Sequence, residues 1–260
     1  MNEFYKNRNI LNGLNLDTPI YKFFPLKYMP TLLQGSLYVG KVTAWEDVFE
    51  NFLFKQNFTL ADGTPVQADN LIKCNFGQSW TVSDETDAMW RIYSDIQHGC
   101  VNDPLGNIAI RIKTTAKKLF DAVYTDDNCM ASTYIGAVHY LSQPELNDWL
   151  SKLNLDTSSN LARTMAESLF MKRIEFQHEH ETRIIISYAQ DDSRVKEKGI
   201  TFAINPANFI DEYLIDPRLV NTDREKDVLQ RLIDLGSDET KIQTSQLYHF
   251  NPYNKPLVIH

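Results

Sequence analysis

Apolar positions along the chain recur at two spacings, one of two residues and one of three to four. Ile108, Ile110 and Ile112 alternate with Ala109 and Arg111, which is the period of a strand. Residues 20–24 and 36–40 read as short strands, and 71–76 and 134–141 as longer ones. Ile184, Ile185 and Ile186 form a continuous apolar run, so 183–188 reads as a strand buried on both faces. Residues 200–204 are its expected partner, reached through the charged loop 191–199.

Helical spacing is clearest after Ser142-Gln143-Pro144-Glu145, a capping box with proline at the first helical position. Leu146, Trp149, Leu150 and Leu153 then fall on one face. Met89, Ile92, Tyr93 and Ile96 predict a helix capped by Ser83 or Asp84 and running to about Gln97. Leu161, Met165 and Leu169 predict another over 158–171. Val228, Leu232 and Leu235 predict a last one, capped by Thr222 and stopped at Gly236. Strands and helices mix without regular βαβ alternation. That pattern predicts an α+β fold, a single domain over 1–260 with a mixed, mostly antiparallel sheet and flanking helices. Residues 1–18 would be an N-terminal extension and 222–260 a C-terminal helix and tail.

Composition narrows the partners. A formal net charge of −8 argues against broad binding to nucleic-acid backbones, which rests on clustered Lys and Arg. Cys74, Cys100 and Cys129 share no metal-binding or paired spacing and predict free thiols in a reducing compartment. The first fifteen residues lack the apolar core of a signal peptide, and no run is long enough to span a bilayer. A cytoplasmic protein with no membrane partner is expected. Walker A, GxGxxG, HExxH and GxSxG patterns are missing, which removes P-loop NTPases, classical dehydrogenases, zincins and α/β-hydrolases from the front rank.

Candidate chemistry gathers in Phe176-Gln177-His178-Glu179-His180-Glu181-Thr182-Arg183. If this stretch is extended, Glu179, Glu181 and Arg183 share one face, and the arginine would help keep both carboxylates ionised. One carboxylate can then favour positive charge at a sugar's anomeric carbon while the other orients or deprotonates an acceptor. The same alternation also describes a solvated edge strand. His178 and His180 form an HxH pair with no acidic cluster or further Cys/His group nearby, so no metal site is expected. Trp90 and Tyr93 share a helix face that suits stacking on a flat ring, and equally suits a core. Trp45 and Trp80 are further aromatic candidates, and Asp47 and Glu50 follow Trp45 closely. Lys22 stands alone in an apolar strand, where it can reach a diphosphate, snorkel to water, or pair with Asp47 or Glu50.

Four blocks, in order, resemble the bacterial domain-of-unknown-function family DUF2971. Its Tyr-Lys-Tyr opening corresponds to Tyr21-Lys22-Phe23, and its Asn-Asp-Pro-Phe-Glu block to Glu46-Asp47-Val48-Phe49-Glu50, with Asn and Pro replaced. Its Cys-Phe-Ser and Met-Trp-x-x-Tyr segments correspond to Cys74-Asn75-Phe76 and to Met89, Trp90 and Tyr93. Its Phe-x-x-Glu-x-Glu-x-Arg block is matched in full by Phe176, Glu179, Glu181 and Arg183. The resemblance implies a setting among mobile and phage-defence genes. The layout is further similar to ADP-ribosyltransferases, many of them toxins, with a polar residue in an opening strand and a late Glu-x-Glu strand.

That likeness implies NAD as a substrate and a macromolecular acceptor, protein or nucleic acid, that the sequence does not identify. Glu181 would stabilise the ribosyl cation and Glu179 would position the acceptor. Tyr21 and Lys22 would hold NAD, with Arg183 in the cofactor site and Trp90 or Tyr93 against the nicotinamide. Two other readings stand beside it: a non-catalytic recognition module of a defence system, with an exposed apolar or aromatic patch instead of a cleft, and a metal-dependent hydrolase or nuclease. The last would gather Asp47, Glu50, Glu179 and Glu181 on one ion.

Overall fold

The computed structural model describes residues 7–45, 47, 49–59, 62–66, 69–124, 133–153, 161–251 and 254. Its elements form a mixed α+β fold with a mostly antiparallel sheet. The chain packs as two compact units, the first of residues 1–22, 31–84 and 113–211, the second of 23–30, 85–112 and 212–260.

The strands follow the chain as β1 (Ile10–Leu11), β2 (Pro19–Pro25), β3 (Ser36–Lys41), β4 (Phe58–Thr59), β5 (Pro65–Val66) and β6 (Asn75–Thr81). After these come β7 (Ala109–Thr115), β8 (Thr133–Ala137), β9 (His139–Leu141), β10 (Met171–Arg173), β11 (Glu181–Ser187), β12 (Gly199–Ala203), β13 (Glu212–Ile215) and β14 (Ile242–Thr244). The chain passes between the units within β2 and within β7.

In the first unit β11 is central. It pairs antiparallel with β6 on one side and β8 on the other, and β8 pairs parallel with β1. Both faces of β11 are covered, and Ile184, Ile185 and Ile186 are fully buried, as their continuous run predicts. Each such side chain contributes roughly 1.5–3 kcal/mol over its exposed state. The partner expected for β11, β12, pairs instead with β3. Both edges of β11 are already taken, so the arriving strand adds to the free edge of β3.

On the Ile185 side lies an apolar core built from Val42, Phe52, Phe54, Tyr134, Met165, Leu169 and Phe170 among others, with Trp45 and Trp149 packed against it. The helix Gln143–Ser151 begins at the predicted capping box of Ser142 and Glu145. The helix Leu161–Ser168 falls within the span predicted for it, of which 158–160 lie outside the described residues.

Other boundaries differ from expectation. Residues 69–72 are helical and the strand starts only at Asn75, because a short apolar run fits either period. The single strand expected over 134–141 divides at Val138 into β8 and β9, and β9 pairs parallel with β10.

The second unit holds the parallel pair β13–β14 and the helices Asp87–Tyr93 and Asp223–Asp234. The first of these is capped by Thr86, whose side chain accepts from the Met89 amide, and it ends at Tyr93 rather than near Gln97. The second is capped by Thr222, as predicted. Phe23, Met89, Trp90, Ala109 and Leu214 form this unit's apolar cluster. Among the described residues no helix is long and apolar enough to cross a membrane.

Gly77 faces Ile185 across β6 and β11, and a Cβ placed there would lie 2.7 Å from the Trp45 ring and 2.8 Å from Ile185. Gly77→Ala is expected to destabilise the first unit by roughly 1–3 kcal/mol. Urea unfolding followed by tryptophan fluorescence checks it, and an unchanged midpoint would mean that Trp45 does not pack there.

Candidate functional site

Within the first unit the Phe176–Arg183 block does not form one extended strand. Residues Ile174–Glu179 make a 3-10 turn, His180 adopts a left-handed conformation at φ 44° and ψ 53°, and β11 begins at Glu181. A left-handed non-glycine residue is uncommon, though histidine tolerates it better than most. The break turns Glu179 away from the strand register, so only Glu181 and Arg183 share a face by alternation. The same break keeps His178 and His180 from forming an HxH pair on a strand.

Both glutamates nevertheless reach one cation. The β9–β10 ribbon sets Lys172 opposite Tyr140. Lys172 Nζ lies 2.6 Å from Glu179 Oε2, 2.6 Å from Glu181 Oε1 and 3.3 Å from Glu50 Oε1. Arg183 is wholly buried and donates to Glu181 Oε2 at 2.7 Å, to the Leu169 carbonyl at 2.7 Å and to Glu50 at 2.5 Å. Its guanidinium also lies 4.5 Å from the Trp45 ring centroid. Beside this cluster Arg173 pairs with Asp47 at 3.2 Å, and the Phe176 ring lies 4.5 Å from Lys172 Nζ and 5.2 Å from the Arg173 guanidinium. Every named residue of the Phe-x-x-Glu-x-Glu-x-Arg block thus contacts this network.

Three carboxyl groups here face two cations, which leaves one negative charge too many for a buried site. Burial, reinforced by the hydrogen bond with Glu181, raises the Glu179 pKa to about 7 against the pull of Lys172. Burial opposes ionisation of Glu181 too, but Arg183, Glu179 and Lys172 outweigh it and hold Glu181 well below the usual carboxylate range. The expectation that arginine keeps both carboxylates ionised is corrected: Arg183 serves Glu181 and Glu50, and Glu179 keeps the spare proton near neutrality.

Glu181 lines an open depression of about 430 Å³ with Tyr140, Gln177, His180, Thr182 and residues of the 12–18 segment. Tyr140 accepts a hydrogen bond from the Glu181 amide at 2.7 Å. Tyr21 pairs with Thr81, which pairs with Glu181, so these three share a sheet face. Alternation sends Lys22 to the opposite face, where its Nζ donates to the Ser79 carbonyl at 2.8 Å and lies 5.9 Å from the Trp80 ring. Lys22 therefore pairs with neither Asp47 nor Glu50. Burial lowers its pKa to about 8, with the charge of Glu181 opposing.

The tryptophan candidates fill interior positions. Trp80 is buried, donates to Gln78 Oε1 at 2.8 Å and meets Phe209 edge-on. In the second unit Trp90 is fully buried, donates to Glu85 at 2.9 Å and packs edge-on against Phe23. Tyr93 stacks on the same phenylalanine and is itself exposed. Sequence reasoning overlooked Lys172 and Tyr140. The lone charge in an apolar run that singled out Lys22 has no counterpart at Lys172, which is followed directly by Arg173. Cys74 and Cys100 are not in a disulfide among the described residues, and Cys129 lies outside them.

The charge network makes both its cation and its spare proton testable. Arg183→Met is expected to cost roughly 3–5 kcal/mol by stranding Glu181 and Glu50, and denaturant unfolding checks it. Folded Glu179 holds its proton more tightly than unfolded glutamate, whose ordinary pKa is 4.5. Its contribution to stability is complete below that value and is lost as pH rises through about 7. Glu179→Gln should remove that decline from a plot of melting temperature against pH, and a slope equal to the parent's would refute the assignment.

A family described as protein of unknown function (DUF2971) matches residues 89–184. No curated protein matches the chain. Two solved structures are similar to it, both of DarT from Thermus sp. 2.9. The one in complex with NAD+ is 10% identical, over 91% of this chain and 99% of that one, with a TM-score of 0.39. The one in complex with ADP-ribosylated ssDNA is 12% identical, over 92% of this chain and 99% of that one, also with a TM-score of 0.39. The family match takes in the Met89, Trp90 and Tyr93 segment and the block ending at Arg183, and leaves the blocks at Tyr21, Asp47 and Cys74 outside it. The chain is thus similar to DUF2971 over the span that supplies Tyr140, Lys172, Glu179, Glu181 and Arg183.

Proposed function

We propose that the protein is an NAD-dependent ADP-ribosyltransferase that modifies a macromolecule. The observation carrying this reading is Glu181, a carboxylate fixed as an anion by Arg183 and Lys172 and set in the wall of an open depression. A charge preorganised by buried partners needs no solvent rearrangement when positive charge develops beside it. In the proposed reaction the bond between nicotinamide and the ribose anomeric carbon breaks, and nicotinamide leaves with the bonding pair. Glu181 stabilises the ribosyl cation, the acceptor attacks it, and the ionised form of Glu179, populated near neutrality at a pKa of about 7, takes the acceptor's proton. Tyr21, on the Glu181 face, is assigned to holding NAD. Lys22, bonded to Ser79 on the opposite face, is assigned no contact with it. Arg183 acts as internal counter-ion, since its donors are spent on Glu181, Glu50 and Leu169.

The metal-dependent alternative is disfavoured by Lys172, whose ammonium sits where Glu50, Glu179 and Glu181 converge and already supplies positive charge there. Asp47 turns to Arg173 instead. A recognition module is favoured by one observation, the exposed run of Leu247, Tyr248 and Phe250 in the second unit.

Nicotinamide release from NAD, with and without protein and nucleic-acid acceptors, tests the reading. Glu181→Gln should lower the rate about 100-fold or more while the protein stays folded. A folded wild-type protein that neither binds nor cleaves NAD, or a Gln variant of full activity, would sink it and move the recognition reading forward.

A further inference from the structure

The β9–β10 ribbon brings two side chains to Glu181 by neighbouring routes. Lys172 holds the carboxylate, and Tyr140, its register partner, holds the backbone amide. The two contacts leave the tyrosine in an unusual position. Its oxygen accepts from Glu181, and among the described residues nothing accepts its proton. The nearby carboxylates are engaged elsewhere, with Glu179 and Glu181 both on Lys172 and Glu181 also on Arg183. Tyr140 is half-buried and lines the depression, so its proton is available to a molecule seated there.

The other lining groups indicate what that molecule presents. Asn12, Asn15, Thr18, Gln177 and His180 supply polar groups around one fixed anion, and among the described residues neither Lys nor Arg lines the wall. Phosphate recognition favours Lys, Arg or converging amides. A neutral moiety rich in hydroxyls fits this wall better.

We propose that Tyr140 is a substrate-binding residue whose phenolic O–H donates to a hydroxyl oxygen of a ribose held in the depression beside Glu181. The assignment rests on the transferase reading for the identity of the sugar. Burial, with the two glutamates adding to it, raises the Tyr140 pKa above its ordinary value, so the donor keeps its proton at physiological pH.

The test compares wild type with Tyr140→Phe, which keeps the ring and removes the O–H. ADP-ribose, NAD and the ribose-free probe nicotinamide are titrated by calorimetry, and KM and kcat are measured for NAD. ADP-ribose affinity should fall and KM should rise by about tenfold, the worth of one good hydrogen bond, with nicotinamide binding unchanged. Because the substitution also leaves the Glu181 amide without its acceptor, NAD analogues lacking single ribose hydroxyls are run on wild type as well. One analogue should lose about tenfold there and lose nothing further in the variant.

Tyr140-dependent binding of ADP-ribose without nicotinamide release would keep the Tyr140 assignment and remove the transferase reading. Nicotinamide release with equal KM in both proteins, or equal affinity for every deoxy analogue, would overturn the assignment alone. Failure to bind either ribose-containing ligand would overturn both.

Discussion

The first unit is organised around a buried charge imbalance. Glu50, Glu179 and Glu181 meet Lys172 and Arg183 beneath Trp45 and Phe176, and the cluster draws together residues from 45 to 183. Burying these groups costs desolvation that pairing repays only when hydrogen bonds are well made, and apolar replacements of equal volume often stabilise a fold as well or better. Stability alone therefore does not account for placing five ionisable groups next to an isoleucine-rich strand. What the network does achieve is an unequal hold on protons, with Glu181 drawn below and Glu179 above the ordinary carboxylate range. Two cations satisfy two carboxylates, and the third carboxyl retains a proton near neutrality.

Backbone geometry decides which carboxyl that is. Glu181 opens β11 and shares its face with Arg183, so it receives an arginine and a lysine. Glu179 lies one left-handed residue earlier, at the end of a 3-10 turn, where it receives only the lysine. Had the block continued as a strand, Glu179 and Glu181 would have lined one face as like charges beside one arginine. The turn at His180 separates two chemically identical groups into an anion and a proton donor or acceptor two residues apart. Two titratable groups whose surroundings push their pKa values apart can take separate roles in acid–base chemistry, which is what the proposed reaction asks of them.

Much of this was legible in the sequence where the signal is local. The isoleucine run, the Ser142 capping box and the Thr222 cap need only near neighbours to act, and each appears where its pattern placed it. The block of Phe176, Glu179, Glu181 and Arg183 was legible as a unit, though its geometry was not. Nothing in Gln177-His178-Glu179-His180 carries the glycine or asparagine that ordinarily announces a left-handed residue. Nonlocal facts were harder. That β12 joins β3 depends on β11 having no free edge, and a one-strand-at-a-time reading cannot count edges. Lys172 and Tyr140 escaped notice because each gains its meaning from a parallel ribbon of two three-residue strands.

The proposed reaction needs Glu181 to act on a ligand, and the same network leaves it that capacity. A carboxylate paired on both oxygens is ordinarily neutralised and spent. Here Lys172 and Arg183 take one oxygen each, but Lys172 divides its charge among Glu50, Glu179 and Glu181, and Arg183 divides its own between Glu50 and Glu181. With Glu179 protonated the cluster is electrically balanced, and with Glu179 ionised it is one charge negative. A cation forming in the depression would meet a wall that, among the described residues, carries Glu181 and neither lysine nor arginine. It would favour the ionised state of Glu179, because added positive charge stabilises a neighbouring carboxylate. Loss of the Glu179 proton then strengthens the field on that cation in turn. In the proposed reaction, positive charge on the ligand and proton release from the cluster would therefore be coupled, and a group that accepts a proton in the step after the cation forms must have released its own first.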